Sequence, residues 1–364
     1  MRLLYITNAI NGSGGLERVL SVKASYLAEK LGYEVHILTL NDGYLKPFYG
    51  FSPKISFHDI AVLANPVSYV RSYFSGIKDT IIEVSPQVII VCDDGLKAFF
   101  LPTLLGKSIP IIYERHVSKN IEIGKSFGIW KLIVAKTKMK FMDFLAPSFT
   151  KFIVLTRGNT REWNAKNIQI IPNPLPFYPK ETAALQNKKV IAVGKQSYQK
   201  GYDRLLESWQ AIHEKHSDWH LDIYGKFDAS QKLETLAKSL GIEKSVHFYE
   251  PQYAIEEHYL NSSIYVMSSR FEGFGMVLIE AMACGVPCVS FDCPHGPSDI
   301  INNNRDGFLV ANGAVHALSD KLIELIENTD LRILMGRNAK ENAKHYLPEN
   351  IMPTWDELFK SVVK

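Results

Sequence analysis

Short β-rich runs alternate with helical patterns along nearly the whole chain, and that alternation is the signature of parallel sheets joined by crossover helices. In the first half the strand candidates are Leu3–Thr7, Val35–Leu40, Ile55–Ile60, Val88–Cys92, Pro110–Glu114, Phe152–Thr156 and Ile168–Ile171. Between them the clearest helix is Leu16–Leu31, where Leu16, Val19, Leu20, Ala24, Leu27, Ala28 and Leu31 recur at three- and four-residue spacing. The second half repeats the logic with Val190–Val193, His220–Tyr224, Val246–Phe248, Ile264–Met267, Cys288–Phe291 and Phe308–Val310. At 364 residues the chain is too long for one ordinary core, so two α/β domains are expected. Between the halves Ile171–Pro179 carries prolines at 172, 174, 176 and 179, which forbid regular helix or central strand and mark the hinge. A second break is expected at Pro348–Pro353, before a short amphipathic helix with Trp355, Leu358, Phe359 and Val362 that packs back on the first domain.

Composition narrows the function classes. A hydrophobic fraction of 46% with 22% charged residues is that of a soluble globular chain and excludes disorder. No apolar run reaches the roughly 20 residues that a membrane span needs. The start, Met1–Thr7, runs straight into a strand with no long apolar leader, which reads as cytoplasmic. The net charge of +3 announces no nucleic-acid partner. Cys92, Cys284, Cys288 and Cys293 lack histidines at zinc-ligand spacing and read as buried thiols. Neither a metal nor a cofactor is expected.

Open α/β sheets bind ligands at the carboxyl ends of their strands, and three motifs fall there. Asn11–Arg18 places Gly12, Gly14 and Gly15 between a strand and a helix, where free backbone N–H groups can meet a phosphate. Glu17 stands where a dinucleotide fingerprint requires its third glycine, so the alternative is a plain glycine-rich turn. Gly194–Gly201 occupies the corresponding place in the second half. Its Lys195 and Lys200 can turn toward a diphosphate or can simply be solvated. The most informative segment is Ser269–Pro287: Gly273 and Gly275 leave a helix start bare, and Glu280 sits among Leu278, Ile279, Ala281 and Met282, where a carboxylate needs a partner.

Glu272 and Glu280, separated by seven residues within this glycine-rich segment, resemble the E-x7-E signature of retaining glycosyltransferases of the GT-B fold, family 4. The Gly14–Arg18 loop, Lys195–Asp203 and Ile171–Asn173 sit where that family has them, so the resemblance spans essentially the whole chain. It implies two Rossmann-like domains facing across a cleft, with the C-terminal helix returning to the N-terminal domain. Residues 1–172, with 351–364 returning, would bind acceptor, and residues 173–350 would bind a nucleotide-sugar donor. Glu280 would accept hydrogen bonds from ribose hydroxyls, and Glu272 would engage the donor sugar at the reacting centre. The amides of Gly273, Phe274 and Gly275 would hold the sugar. Lys200 and Lys195 would neutralise the leaving diphosphate; the family usually has Arg at the latter position, and lysine offers a point charge instead of a fork. Gly14 and Gly15 would border acceptor and phosphate. His116 resembles the family's active-site histidine, though a lone histidine can equally be structural. Cys293–Asp299 resembles a loop near the donor sugar in a subset of the family.

No D-x-D metal motif is present: Cys92-Asp93-Asp94-Gly95 has only adjacent aspartates. The reaction expected is retaining, metal-independent transfer of a hexose or N-acetylhexosamine from a nucleotide-diphosphate sugar, UDP favoured over GDP. From Lys125 to Lys151 six lysines face one acid, Asp143, interleaved with Phe127, Trp130, Ile133, Phe141, Met142 and Phe144. That pattern fits contact with an anionic membrane, and equally a core helix with a solvated basic face. The acceptor expected is a lipid-linked or cell-envelope glycan, met at the inner face of the cytoplasmic membrane. Two rivals share the architecture: a sugar-nucleotide epimerase or hydrolase, and a non-catalytic sugar-nucleotide-binding scaffold.

Overall fold

The computed structural model describes residues 1–42, 45–62, 65–119, 121 and 128–363. They form two compact units, Met1–Pro176 with Pro348–Lys364, and Phe177–Leu347. The division falls inside the proline-rich run.

In the first unit β1 (Arg2–Thr7), β2 (Glu34–Leu40), β3 (Ser56–Ile60), β4 (Val88–Cys92), β5 (Ile111–Glu114), β6 (Lys151–Val154) and β7 (Ile168–Ile170) make one sheet in the order β3-β2-β1-β4-β5-β6-β7. Every pairing is parallel. The longer helices are α1 (Gly15–Glu29), α2 (Pro66–Val84) and α3 (Ile129–Leu145). Successive strand side chains alternate between faces. Leu3 and Tyr5 pack with Leu20, Ala24 and Leu27 of α1, while Leu4 and Ile6 pack with Tyr73 and Ile77 of α2.

The second unit repeats the plan. Strands β8 (Lys189–Val193), β9 (His220–Tyr224), β10 (Val246–Tyr249), β11 (Ile264–Met267), β12 (Cys288–Asp292) and β13 (Gly307–Ala311) run in the order β10-β9-β8-β11-β12-β13, again all parallel. Its longer helices are α4 (Tyr202–Lys215), α5 (Met276–Ala283), α6 (Val315–Glu327) and α7 (Thr329–Ala343), and the fully buried Trp209 anchors the core. Both sheets have the 3-2-1-4-5-6 order of doubly wound folds, the first with one strand added.

Each strand expected from the sequence is present, with ends displaced by one or two residues at most. Two expectations need correction. The first helix stops at Glu29, and Leu31 lies beyond it, exposed before the left-handed Gly32. Pro348–Pro353 is no break but the beginning of the last helix, α8 (Pro348–Val362). Pro348 sits at the first helical position, where its missing N–H costs nothing and its φ is already suitable, after an extended Leu347. Pro353 is inside the helix. Burial of Ile351, Met352, Trp355, Leu358 and Phe359 against α1 and the sheet holds the helix through it.

Candidate active site

In the second unit the strand order reverses between β8 and β11, and a doubly wound sheet offers its ligand crevice at the carboxyl ends of the strands there. Gly194 follows β8, Gly225 follows β9, Ser268 follows β11 and Cys293 follows β12. The loops are held too close for side chains. A Cβ on Gly225 would stand 2.0 Å from the Gly194 carbonyl oxygen, and one on Gly296 would stand 1.9 Å from that of Phe274. Both glycines have positive φ as well, so no other residue fits either position.

The loop after β8 is tied to the loop after β11. Arg270 donates its backbone N–H to the Gln199 carbonyl at 2.7 Å, Gln199 donates Nε2 to the Phe271 carbonyl at 3.1 Å, and Ser268 donates Oγ to the Lys200 carbonyl at 2.9 Å. A bidentate Arg270–Asp203 pair locks the start of α4 to the same segment. These ties set Lys200 Nζ 2.8 Å from Glu272 Oε1, which also accepts from Ser269 Oγ at 2.6 Å. Gly194 provides the room: a Cβ there would lie 2.7 Å from Lys200 Cε. Glu272 is 6% exposed, so its carboxylate is desolvated and needs both partners.

Gly275, at φ +102°, caps α5 without a side chain, leaving the first N–H groups of the helix uncovered beside Gly273 and buried Phe274. One turn into α5, Glu280 is buried and accepts from the Tyr259 hydroxyl at 3.2 Å. That hydroxyl is the partner which the apolar surroundings of Glu280 demand. Lys195 is exposed on the loop after Gly194, apart from the Lys200–Glu272 contact, and its charge is felt by Asp228. Gln196 is buried, and its Nε2 has no partner among the described residues.

In the first unit Gly14 is the N-cap of α1 and Gly15 its first residue. The glycines wrap the Glu17 carboxylate: Cβ atoms on Gly12 and Gly14 would lie 2.4 and 2.6 Å from its two oxygens. Burial pushes the Glu17 carboxyl upward, against backbone hydrogen bonding and the nearby His116. His116 follows β5, with Nε2 3.4 Å from Glu114 Oε1. Glu114 is fully buried and holds the Lys23 ammonium with both oxygens, at 2.5 and 2.6 Å. Burial alone would raise the Glu114 carboxyl, but Lys23 and His116 outweigh it and hold it at about 2. Lys23 in turn lies 3.6 Å over the Trp355 ring of α8.

Cys92, Glu114 and His116 place ligand atoms within 4.8 Å of one another. They do not fit a metal ion, because the Lys23 ammonium already engages both Glu114 oxygens and burial pushes the Cys92 thiol up, away from thiolate. The adjacent aspartates are likewise engaged. Asp93 accepts from Asn8 Nδ2 and the Gly95 N–H and lies 3.4 Å from Lys97, and Asp94 lies 3.4 Å from Arg115.

The structure thus brings Lys200, Glu272 and the Gly273–Gly275 turn into one site and sets Glu280 in the helix that begins there. His116 and the Gly14–Gly15 turn belong to the first unit. Sequence reasoning missed Ser269, although a serine three residues before a glutamate is a recognisable spacing. It also missed Lys23 and Glu114, two charges set in apolar patterns.

Two doubly wound parallel-sheet units, one with an acid–lysine contact and a bare helix start at its switch point, make the GT-B fold. Residues 177–342 match the family model described as glycosyl transferases group 1. The chain is 31% identical over 96% of its length to an uncharacterized glycosyltransferase of Haemophilus influenzae, covering 97% of that protein. It is 29% identical over 98% of its length to the amylovoran biosynthesis glycosyltransferase AmsD of Erwinia amylovora, covering 99% of it. Among solved structures, Anabaena HepE in complex with UDP-glucose superposes with a TM-score of 0.79 at 17% identity, over 99% of this chain and all of that one. The chain belongs to this glycosyltransferase family.

Proposed function

We propose that the protein is a retaining, metal-independent glycosyltransferase of family 4 that moves a hexose or N-acetylhexosamine from a UDP-sugar to a lipid-linked or envelope glycan. In this reading residues 173–350 bind donor, and residues 1–172 with the returning helix bind acceptor at the inner face of the cytoplasmic membrane. The observation that carries it is the Lys200–Glu272–Ser269 contact at the switch point of the second sheet. UDP is favoured because HepE, of the same fold, was solved with UDP-glucose, and the envelope acceptor because AmsD serves amylovoran biosynthesis.

Breaking the bond from sugar C1 to phosphate builds positive character on the sugar and negative charge on the departing diphosphate. Lys200, Lys195 and the α5 N-terminus supply the compensating charge. Glu272, now paired with Lys200, turns to the donor-sugar hydroxyls once the phosphates take over the ammonium, and the amides of Gly273, Phe274 and Gly275 hold the same sugar. Glu280 accepts from the ribose, Gly14 and Gly15 border acceptor and phosphate, and His116 acts at the reacting centre. Metal independence is supported by the engagement of Asp93, Asp94 and Glu114 with cationic side chains. Replacing Glu272 by Ala should lower transfer by about a hundred- to a thousandfold, the scale of losing a group that acts on the transition state. Parental turnover of donor and acceptor by the purified variant would remove Glu272 from the site.

A further inference from the structure

α3 is apolar on the side turned away from its own unit. Its buried residues are Ala135 and Met142. At 3.6 residues per turn the opposite side carries Ile133, Phe144, Trp130, Phe141 and Val134 within about 100° of arc. These are not marginal exposures: Trp130 is 76%, Phe144 77% and Val134 67% exposed, with Ile129 at 72% on the first turn. A surface helix ordinarily shows polar residues there.

Lysines border this stripe on both sides, Lys136 and Lys140 along one edge and Lys131 and Lys138 along the other. Asp143, the acid of the helix, is held from the protein side by Lys119, whose ammonium also donates to the Glu162 carbonyl at 2.7 Å. The outward face therefore presents large apolar groups bordered by an excess of lysine.

We propose that this face of α3 docks on an anionic lipid bilayer, lying in the plane of the interface with its aromatic stripe among the acyl chains and its lysines among the lipid phosphates. Charge complementarity selects this occupant. Lysine is depleted from the centres of protein–protein interfaces, whereas its long stem lets the ammonium reach phosphates while the stripe inserts. No helix among the described residues is long and apolar enough to cross a membrane, so α3 is placed on the bilayer and not through it. Docking stands independently of the transferase reading. Its consequence, that the first unit meets a lipid-borne acceptor, rests on that reading.

Flotation of the full chain with vesicles of equal parts phosphatidylglycerol and phosphatidylcholine, against pure phosphatidylcholine, tests the proposal. The parent should bind the anionic vesicles in a salt-sensitive manner and bind the neutral ones weakly. Trp130→Ser with Phe144→Ser should lower binding by at least about tenfold, and Lys131→Gln with Lys136→Gln and Lys140→Gln should erase the preference for anionic lipid. All five positions are solvent-facing, and an unchanged melting temperature checks that the fold is kept. Failure of the parent to bind either vesicle, or parental binding by both variants, overturns the proposal. So does a parent that is dimeric in solution and becomes monomeric with Trp130→Ser and Phe144→Ser, since the face would then belong to a second copy. Vesicle binding without sugar transfer would leave docking intact and remove the transferase reading; transfer without binding would do the reverse.

Discussion

At the scale of single residues the molecule sets a buried ion pair where its sequence pattern is apolar. Lys23 lies on the buried face of α1 among Leu20, Ala24 and Leu27, and Glu114 ends an otherwise apolar strand. Each is intelligible only through the other, because a lone buried charge would be prohibitive. Replacing Glu114 by Gln leaves Lys23 buried without a counter-charge and should cost the first unit roughly 3 to 5 kcal/mol, read from urea unfolding. The same pair sets a pH dependence. The folded Glu114 carboxyl, at about 2, lies below the ordinary value of 4.5, so its contribution is complete above about 4.5 and is lost as pH falls from there toward 2. Glu114→Gln should be less stable at neutral pH and should lose less on acidification than the parent. Glu272 and Lys200 were legible from motif and position. Their direct contact was not, since it depends on Gly194 making room and on Ser269 sharing the carboxylate.

At the scale of elements, the strands were legible because buried parallel strands read as short β-branched runs, and their ends follow from turn residues. The last helix was legible in its second half, where Trp355, Leu358, Phe359 and Val362 pack on the first unit as expected, but its start was not. Two prolines five positions apart look like a break, yet Pro348 opens α8, and packing of Trp355 and Phe359 carries the chain past Pro353. Pro353 is exposed, so substitution leaves no cavity. Pro353→Ala restores an amide able to bond the Glu349 carbonyl and should stabilise the protein by about 1 to 3 kcal/mol, visible as a higher denaturation midpoint at unchanged slope. A fall in the midpoint would mean that the proline ring itself packs usefully. The stretch from Lys125 was readable as basic and aromatic, but not which way α3 turned, because its two faces are nearly equally apolar. Lys125 and Phe127 lie outside the described residues.

At the scale of the whole molecule, the repeated strand order gives two units, each with its own core and its own glycine-lined strand ends. In the proposed function the donor is held by the second, at the loops after β8 and β11. Amide hydrogen exchange measured with and without a panel of UDP- and GDP-sugars tests it without requiring the acceptor. A ligand that binds the folded state raises the cost of opening the segments it holds. A UDP-sugar should slow exchange in the peptides covering 194–201 and 272–280, and Lys200→Ala should weaken this protection by at least about tenfold in ligand concentration. Protection by a nucleotide sugar confined to the first unit, or unaffected by loss of Lys200, would contradict it.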